Sequence, residues 1–430
     1  MSEEIKIIDS TNLKVRIFIL IAVLLALTFG WYAIRWQLGN MLAELTSQTA
    51  PNAKSISEIA VSFAPSDPVT NWFAATSEAD IFTPEKLENS RQMFEKTVRL
   101  APKDFRWWIE LGRADEQSDN LEKAEKAMLY AIQIAPQYTF PHWQLGNFYL
   151  RRGRDTEAFA ELQKAADNNV VYREQVFSIA WDYYEKDTAK LEQIAGKTSE
   201  GKAGLAKFYA SKERAEDSLR IWNSLSDDEK ANNTEIAKLI AQALYDKRFF
   251  RSSLQFVRQL GVESNAKLET IENSGFESEI KNNGKVYFGW SVLPTEKVEV
   301  KTDPNQKHEG IRSLRVAFSG FSSIELYNIL QIVAVQPSTR YRLSFWVRTE
   351  NLRTAGTPNM EVVNANDDRI ITDSKTFPND TTDWQQVQVE FTTPANAEGI
   401  TIRLGRSYCG NVCPIVGTIW LDDFNLEKLK

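Results

Sequence analysis

The chain is 430 residues long, with 43% apolar residues, 25% charged residues and a formal net charge of −7. This length is typical of two or three domains of ~150 residues, and the composition excludes a chain that is disordered throughout. The acidic balance argues against a nucleic-acid binder, which normally carries a basic surplus. Two histidines and two cysteines are too few for the usual zinc, haem or iron–sulfur sites, which argues against most metal-dependent enzymes.

Residues 17–34 are predicted to span a membrane. They are eighteen uncharged residues between Arg16 and Arg35, and as a helix they would extend roughly 27 Å, close to the thickness of the hydrocarbon layer. Aromatic side chains that favour the headgroup level stand at the end of the segment, namely Trp31, Tyr32 and Trp36. A cleaved secretory signal would need a shorter apolar core and a better cleavage site, and a buried core helix is the remaining alternative.

The charges beside this segment favour a cytoplasmic N-terminus at residues 1–16, because three basic residues precede the segment and two follow it. Residues 35–69 would then form a linker, and the sequence leaves open whether residues 40–67 are an ordered spacer or a flexible tether. The chain after this anchor would lie outside the cytoplasm.

Residues 70–261 are predicted to form an all-α repeat array. Proline is absent from residues 142–293, and helix-favouring residues dominate up to residue 261. A self-comparison finds the same residues at a constant offset of 34. Pro102, Leu111-Gly112, Ala124 and Ala131 recur as Pro136, Leu145-Gly146, Ala158 and Ala165. The small residues fall where the two helices of a hairpin would press together.

This pattern resembles the tetratricopeptide repeat family. The unit at residues 105–138 matches the family at Trp108, Leu111, Gly112, Ala124, Ala131 and Pro136. Asp115 replaces an aromatic residue of the family pattern, and in the next unit Val170 stands in place of the closing proline. Degenerate units flank these two. The resemblance implies a superhelix of hairpins whose concave groove holds a segment of a protein partner.

In this family the first helix of each unit lines the groove. Carried over to this chain, those positions are Arg106, Ile109, Arg113, Glu116, Phe140, Trp143, Asn147 and Leu150. Four of them are the partner-binding candidates, namely Arg106, Arg113, Trp143 and Asn147. The aromatic and leucine side chains could instead pack between units, and the arginines could pair with nearby acids.

Residues 268–430 are predicted to form an all-β sandwich, because alternating apolar stretches such as 341–347 and 400–404 are separated by turn-forming residues. This region resembles carbohydrate-binding modules of the family 4 and family 9 type. The resemblance is carried by short sequence motifs in a fixed order, among them residues 273–277, 341–346 and 419–424. The resemblance implies a galactose-binding-like jelly roll with sugar binding as its expected function.

The strand at residues 341–348 supplies the glycan-binding candidates. Its apolar residues alternate with polar ones, so that Trp346 lies between Arg342 and Arg348 on the face turned away from the core. Tyr327 and Gln331 are expected to extend this face. The alternative is that a loop or the repeat array covers Trp346. Trp290 and Trp384 match family positions that are mainly structural, so both are expected in the core.

The resemblance also implies a structural calcium ion. Glu277 and Asp422 stand where relatives of the module supply oxygen ligands, which suit calcium. No other cofactor is expected. Cys409 and Cys413 enclose three residues and are predicted to form a loop disulfide outside the cytoplasm, since a catalytic pair would enclose two.

No catalytic function is predicted, because the chain lacks a Gly-rich phosphate loop, a nucleophile elbow and a metalloprotease motif. The leading hypothesis is a single-pass protein of a bacterial inner membrane with most of its chain in the periplasm. The array would dock a protein and the sandwich would bind or guide a polysaccharide, as in accessory components of exopolysaccharide or O-antigen-type assembly. The alternatives are a purely protein-interacting scaffold and, third, a glycan-processing enzyme.

Overall fold

The computed structural model describes residues 12–79, 83–263, 265–280, 286–321, 323 and 326–430. The chain divides into two compact units, the first ending at Ile179 and the second beginning at Ala180. Helices form the whole of the described first unit. They are α1 (Leu13–Leu45), α2 (Ala53–Phe63), α3 (Pro68–Ala79), α4 (Pro84–Leu100), α5 (Phe105–Gln117), α6 (Leu121–Ile134), α7 (Thr139–Arg151), α8 (Asp155–Asn168) and most of α9 (Val170–Tyr183).

Helix α1 is the one helix in the described part of the chain that is long and apolar enough to cross a membrane, and its apolar stretch is not buried. It continues well past Arg35, so the range assigned to a linker, 35–69, is largely helical. Arg35 donates a hydrogen bond to the carbonyl of Ser62 at 2.8 Å. A Cβ atom added at Gly39 would lie 2.7 Å from Ala64 Cβ, so the glycine lets α1 pack closely against the end of α2.

The 34-residue pattern corresponds to two helix hairpins, α5–α6 and α7–α8. Gly112 and Gly146 occupy the same place in each, where a Cβ atom would lie 2.9 Å from Met128 Cγ and 2.7 Å from Leu162 Cγ, respectively. Helix α6 ends two residues before Pro136, as predicted for a helical repeat, whereas α8 ends at Asn168 and is followed by Val170 at the equivalent position. Ile109, predicted to line the groove, is instead completely buried in the core between the two hairpins. It lies on the face of α5 that packs against α6 and α7.

The second unit begins with helices and ends with strands. The helices are α10 (Thr188–Ala195), α11 (Ser199–Ser211), α12 (Ala215–Asn223), α13 (Asp227–Asn232), α14 (Thr234–Asp246) and α15 (Phe250–Gln259). Two hairpins share one locking contact, since Ser218 donates to Ala206 O at 2.7 Å and Ser253 donates to Ala241 O at 2.9 Å. These serines identify α11–α12 and α14–α15 as degenerate units of the same repeat.

The strands form two five-stranded antiparallel sheets packed face to face. They are β1 (Ser291–Val292), β2 (Val298–Asp303), β3 (Ser313–Phe321), β4 (Ile329–Ala334), β5 (Arg340–Arg353), β6 (Pro358–Asn364), β7 (Ile370–Asp373), β8 (Asp380–Thr392), β9 (Gly399–Arg406) and β10 (Ile415–Lys428). Sheet 1 has the order β1-β4-β9-β6-β7, and sheet 2 has the order β2-β3-β10-β5-β8. The core between them contains Phe345, Ile402 and Leu421, together with Trp290 as predicted.

The hairpin α14–α15 is bound to one end of sheet 1. Arg248 donates to the carbonyl of Ala365 at 3.0 Å and forms an ion pair with Asp368. Arg251 forms an ion pair with Glu398. Because Ala365 follows β6 and Glu398 precedes β9, the helical hairpin holds both of these strands at their ends.

Candidate glycan-binding and partner-binding surfaces

Three of the predicted glycan-binding residues lie together on the outer face of sheet 2. The alternation of β5 points Arg342, Trp346 and Arg348 away from the core, as expected. Arg342 forms an ion pair with Glu390 at 2.6 Å, and Arg348 forms one with Asp383 at 2.8 Å. Neither arginine is therefore a free cation on this face.

The ring of Trp346 is covered by His308, which lies in the loop between β2 and β3. The two rings are stacked with their centroids 3.8 Å apart, and His308 Nδ1 lies 2.6 Å from Asp423 Oδ2. Trp384 contacts the same imidazole edge-on, and it lies on the surface of sheet 2 rather than in the core where it was expected. A loop residue thus occupies one face of the tryptophan, which is the alternative raised for this position.

Gln331 lies inside the sandwich, so its assignment to the glycan-binding face was wrong. In β4 it shares the inward direction of Ile329 and Val333 and is completely buried. Its side-chain amide donates to the carbonyls of Glu272 at 3.1 Å and Phe288 at 2.8 Å. A glutamine in this setting links the sheet to the preceding loop and is out of reach of a sugar.

Tyr327 belongs to the outer face of sheet 1, where it meets two residues that the sequence did not identify as candidates. The guanidinium carbon of Arg403 lies 3.7 Å from the centroid of the Tyr327 ring. Arg403 Nε also donates to Glu361 Oε2 at 2.8 Å. The side chains of Arg403 and Glu361 are only 18% and 9% exposed, so this ion pair is strongly shielded from water.

A recessed surface surrounds this pair. Asn359, Glu361 and Val363 point away from the core because Met360 and Val362 point into it, and all three are nonetheless buried. Asn359 donates to Asp373 Oδ2 at 3.2 Å. We call the set formed by Tyr327, Asn359, Glu361, Asp373 and Arg403 the sheet-1 patch. It combines an aromatic ring with carboxylate, amide and guanidinium groups.

Gly405 permits the geometry of the sheet-1 patch. It pairs with Asn359 across the sheet, and a Cβ atom there would lie 2.4 Å from Glu361 Oε1. The sequence did contain a signal for this surface. Ile400, Ile402 and Leu404 were recognised as an inward set, which places Arg403 and Gly405 on the outward face.

The predicted calcium ligands approach each other at one end of the sandwich. A Cβ atom added at Gly275 would lie 3.4 Å from Asp423 Oδ1, 3.6 Å from Glu277 Oε1 and 3.7 Å from Asp422 Oδ1. Glu277 accepts from Ile311 N at 3.0 Å, and burial raises the pKa of Asp422 to about 6. No group of three or more His, Cys, Asp or Glu side chains among the described residues is arranged to hold a metal ion. Further ligands for calcium would have to come from backbone oxygens or water.

The cysteines are joined in a disulfide, Cys409–Cys413, in the loop between β9 and β10. Arg406 lies beneath this loop and donates to Cys413 Sγ at 2.9 Å and to the carbonyl of Gly356 at 3.2 Å. The loop is therefore held both by the covalent bond and by a buried guanidinium.

The predicted partner-binding arginines line concavities of the first helical unit and have local partners. Arg106 pairs with Asp104 at 2.6 Å, and Arg113 pairs with Glu110 at 3.2 Å. The first helical unit has one concavity of about 710 Å³ beside Arg106 and another of about 450 Å³ beside Arg113. We call their polar and aromatic lining the inner groove, with members Arg106, Glu110, Arg113, Gln117, Phe140, Gln144 and Arg151.

The other two partner-binding candidates contribute to packing. Trp143 meets Tyr172 edge-on with a centroid distance of 5.1 Å. Asn147 donates to the carbonyl of Trp143 within its own helix at 2.8 Å. The residue facing the groove at the equivalent point of α7 is Gln144, which is 34 residues after Glu110.

Comparisons with known proteins agree with this architecture. Residues 268–405 match the family described as a carbohydrate binding domain. A solved family 4 carbohydrate-binding module is 16% identical with a TM-score of 0.29, over 37% of this chain and 100% of its own. A structure of MamA from Desulfovibrio magneticus RS-1 is 22% identical with a TM-score of 0.27, over 32% of this chain and 75% of its own.

Among curated proteins, the tRNA(Glu)-specific nuclease WapA of Bacillus subtilis subsp. natto (strain BEST195) is 24% identical over 214 residues. These residues are 47% of this chain, whereas the chain spans only 8% of the length of WapA. The chain combines an array of tetratricopeptide-like helix hairpins with a C-terminal β-sandwich that matches the carbohydrate binding domain family over residues 268–405.

Proposed function

We propose that this protein is a membrane-anchored scaffold that holds a polysaccharide through its sandwich and a protein partner through its helical array. The observation that carries the proposal is the match of residues 268–405 to the carbohydrate-binding family, together with the sheet-1 patch in that domain. The chain is proposed to act by binding and not by catalysis.

The sheet-1 patch is the proposed glycan contact. Sugars place their apolar C–H faces on aromatic rings, while nearby polar side chains bond to the hydroxyl groups. Tyr327 would provide the ring, and Glu361, Asp373 and Asn359 would accept or donate hydrogen bonds. Arg403 holds the side chain of Glu361 in place through their ion pair, which is shielded from water.

The outer face of sheet 2 is the alternative to the sheet-1 patch as the glycan contact. There Gln386 pairs across the sheet with Trp346, and Gln388 pairs with Ser344, so exposed amides flank the indole. A sugar could stack on this indole only if His308 moved from its place against the ring. For this reason we place the face of Trp346, Arg342 and Arg348 second.

The proposed location is a bacterial inner membrane, with α1 as a single anchor and the rest of the chain in the periplasm. The length of the apolar stretch in α1 supports the anchor. The Cys409–Cys413 disulfide suits an oxidising compartment. In this position the protein would serve the assembly or export of an exopolysaccharide or O-antigen-type polymer, with a protein partner in the inner groove.

Affinity electrophoresis of the full chain in detergent, through gels that contain bacterial polysaccharides, tests the glycan claim. We expect at least one polymer to retard the protein and expect Tyr327→Ala and Glu361→Gln to abolish the retardation. Trp346→Ala is the matched control and should behave like the unaltered chain. Melting curves must show that each variant is folded.

The other results have definite meanings. Loss of retardation in Trp346→Ala alone would move the glycan to sheet 2. Absence of retardation by every polymer would favour a purely protein-interacting scaffold. That scaffold should still capture its partner through the inner groove, and Arg106→Glu with Arg113→Glu should weaken the capture.

A further inference from the structure

The end of α2 lies level with the point where the apolar stretch of α1 ends. Arg35 follows that stretch and donates to the carbonyl of Ser62 at the end of α2. Its guanidinium also lies 5.9 Å from the centroid of the Phe63 ring. The end of α2 therefore lies beside Arg35, at the point where the apolar stretch of α1 ends.

The following helices alternate in direction, so every second helix ends at this same edge. Ser90, early in α4, donates to the carbonyl of Ala75 near the end of α3 at 2.8 Å. Gly112 and Gly146, near the middle of α5 and α7, lie against Ala124 and Met128 of α6 and against Ala158 and Leu162 of α8, as expected for antiparallel hairpins with short turns. The ends of α2, α4, α6 and α8 therefore share one edge, which we call the anchor-side edge. Its segments are residues 63–67, 100–104, 135–138 and 169–171.

Large apolar side chains are exposed along the anchor-side edge. Leu100 is 37% exposed, Tyr138 60%, Val170 60% and Val171 64%. At the opposite ends of the helices, the segments after α5 and α7 are polar, namely Asp119-Asn120 and Arg152-Gly153-Arg154, although Leu45 at the end of α1 is 78% exposed. A row of exposed apolar side chains along one edge marks an interaction surface.

Alignment of the repeats shows that one of these exposed apolar residues replaces a proline. Pro102, Pro136 and Val170 stand at equivalent positions, 34 residues apart. Val170 was the departure from the family pattern at the position of the closing proline. Here two adjacent valines begin α9 with their side chains in solvent.

We propose that the anchor-side edge rests on the surface of the same bilayer that α1 enters. The inference rests on the membrane anchor in the proposed function. It commits to lipid because Arg35, at the end of the apolar stretch of α1, contacts Ser62 and Phe63 where the edge begins. The exposed Trp31, Tyr32 and Trp36 are residue types that favour the headgroup level of a bilayer. Tyrosine and valine at loop tips suit shallow insertion at the interface.

The helix lengths place the edge at a suitable height. Ser90 contacts Ala75, and from there α4 continues ten residues to Leu100 whereas α3 extends seven residues back to Pro68, so α4 reaches about 4–5 Å further toward this edge at 1.5 Å per residue. The edge carries no cluster of basic side chains, since Lys103 stands beside Asp104. We therefore expect contact with neutral lipid and little effect of salt.

Depth-dependent fluorescence quenching tests the inference in the full chain reconstituted into phosphatidylcholine vesicles. A single added cysteine carries the fluorophore, and the Cys409–Cys413 disulfide is kept oxidised. Gln137→Cys and Val171→Cys report on the anchor-side edge. Gln117→Cys reports on the opposite edge, and Trp36→Cys reports on the anchor. The quencher is a lipid with a nitroxide near its headgroup.

We expect the labels at 36, 137 and 171 to lose at least half of their fluorescence and the label at 117 to keep it. Quenching at 36 alone would overturn the edge contact and leave the anchor intact. Quenching at none of the four sites would overturn the anchor and the edge contact together. Protection of 137 from aqueous iodide without lipid quenching would assign the edge to a second copy of the chain, and equal quenching at 117 and 137 would also contradict the inference.

Discussion

Gly146 lies so close to Leu162 that an added Cβ atom would stand 2.7 Å from Leu162 Cγ. Gly112 has the equivalent place in the previous hairpin, but its close neighbour is Met128, whose Cγ would be at 2.9 Å. Both glycines allow two helices to pack closely, but the neighbouring side chain is a branched leucine at Gly146 and a more flexible methionine at Gly112.

Gly146→Ala should therefore destabilise the array by ~1–3 kcal/mol, the usual cost of overpacking a core. Gly112→Ala should cost less, because methionine has flexible torsions and can move aside. The gain in helix propensity, about 1 kcal/mol, is the same for both. Thermal melting followed by far-ultraviolet circular dichroism measures the difference. An alanine at 146 that melts at or above the temperature of the unaltered chain would contradict this account.

His142 should titrate above its ordinary range. Its Nδ1 lies 2.6 Å from Glu161 Oε2 and its Nε2 lies 3.1 Å from the carbonyl of Pro136, so both ring nitrogens face acceptors. The hydrogen bond with Glu161 raises the pKa of His142 against the opposing effect of burial. Since the folded pKa is the higher one, this stabilisation is complete below pH ~6.5 and is lost as the pH rises through the folded pKa.

Nuclear magnetic resonance of the ring protons can follow this directly, because the chain has only two histidines. His308→Gln assigns the signals without touching the array. Glu161→Gln should lower the pKa of His142 and remove the pH dependence of stability in that range. A midpoint for His142 at or below that of a free imidazole would refute the prediction.

The Cys409–Cys413 disulfide should stabilise its loop by about 2 kcal/mol, as chain entropy predicts for a closed ring of about five residues. Replacement of both cysteines by serine should leave the sandwich folded, since the loop lies outside the core. Hydrogen exchange at residues 406–415 should accelerate, while exchange in β5 should not change. Unchanged exchange in the loop would show that Arg406 alone holds it.

Calcium should raise the melting temperature of the sandwich if Glu277 and Asp422 bind it. Burial holds Asp422 at a pKa of about 6, and a cation beside it would offset the cost of its ionised form. At a hundred times the dissociation constant the gain would be about 2.7 kcal/mol. Glu277→Gln should abolish the shift, and magnesium serves as the control ion. Equal melting in calcium and in a chelator would dispose of the site.

The sequence predicted local patterns well and distant pairings poorly. The 34-residue spacing located the hairpins, and the alternation in β5 placed Arg342, Trp346 and Arg348 on the correct face. Both predictions rest on regular spacings along the sequence, the 34-residue repeat and the two-residue alternation of a strand, which a few residues are enough to define. Among the groove positions, Arg106, Arg113 and Phe140 do line the concavities, whereas Ile109 is buried and its neighbour Glu110 lines the groove, because helix phase must be known to one residue.

Tyr327 and Trp346 were expected on one face, yet they lie on different sheets. Which strands share a sheet depends on hydrogen bonds between residues far apart in sequence, and alternation within a strand carries no information about it. The stacking of His308 on Trp346 could not be predicted for the same reason, because His308 lies in a loop 38 residues earlier in the sequence. The Arg403–Glu361 pair likewise joins residues 42 positions apart.

The two strands that carry the sheet-1 patch are attached at one end to the hairpin α14–α15. Glu361 lies in β6 and Arg403 in β9, and the ends of these two strands are held by Arg248 and Arg251. If the patch holds a polymer as proposed, tension on it would be transmitted along both strands to Arg248, in the turn before α15, and to Arg251 within α15. We expect the last helical hairpin to share such a load with the sandwich.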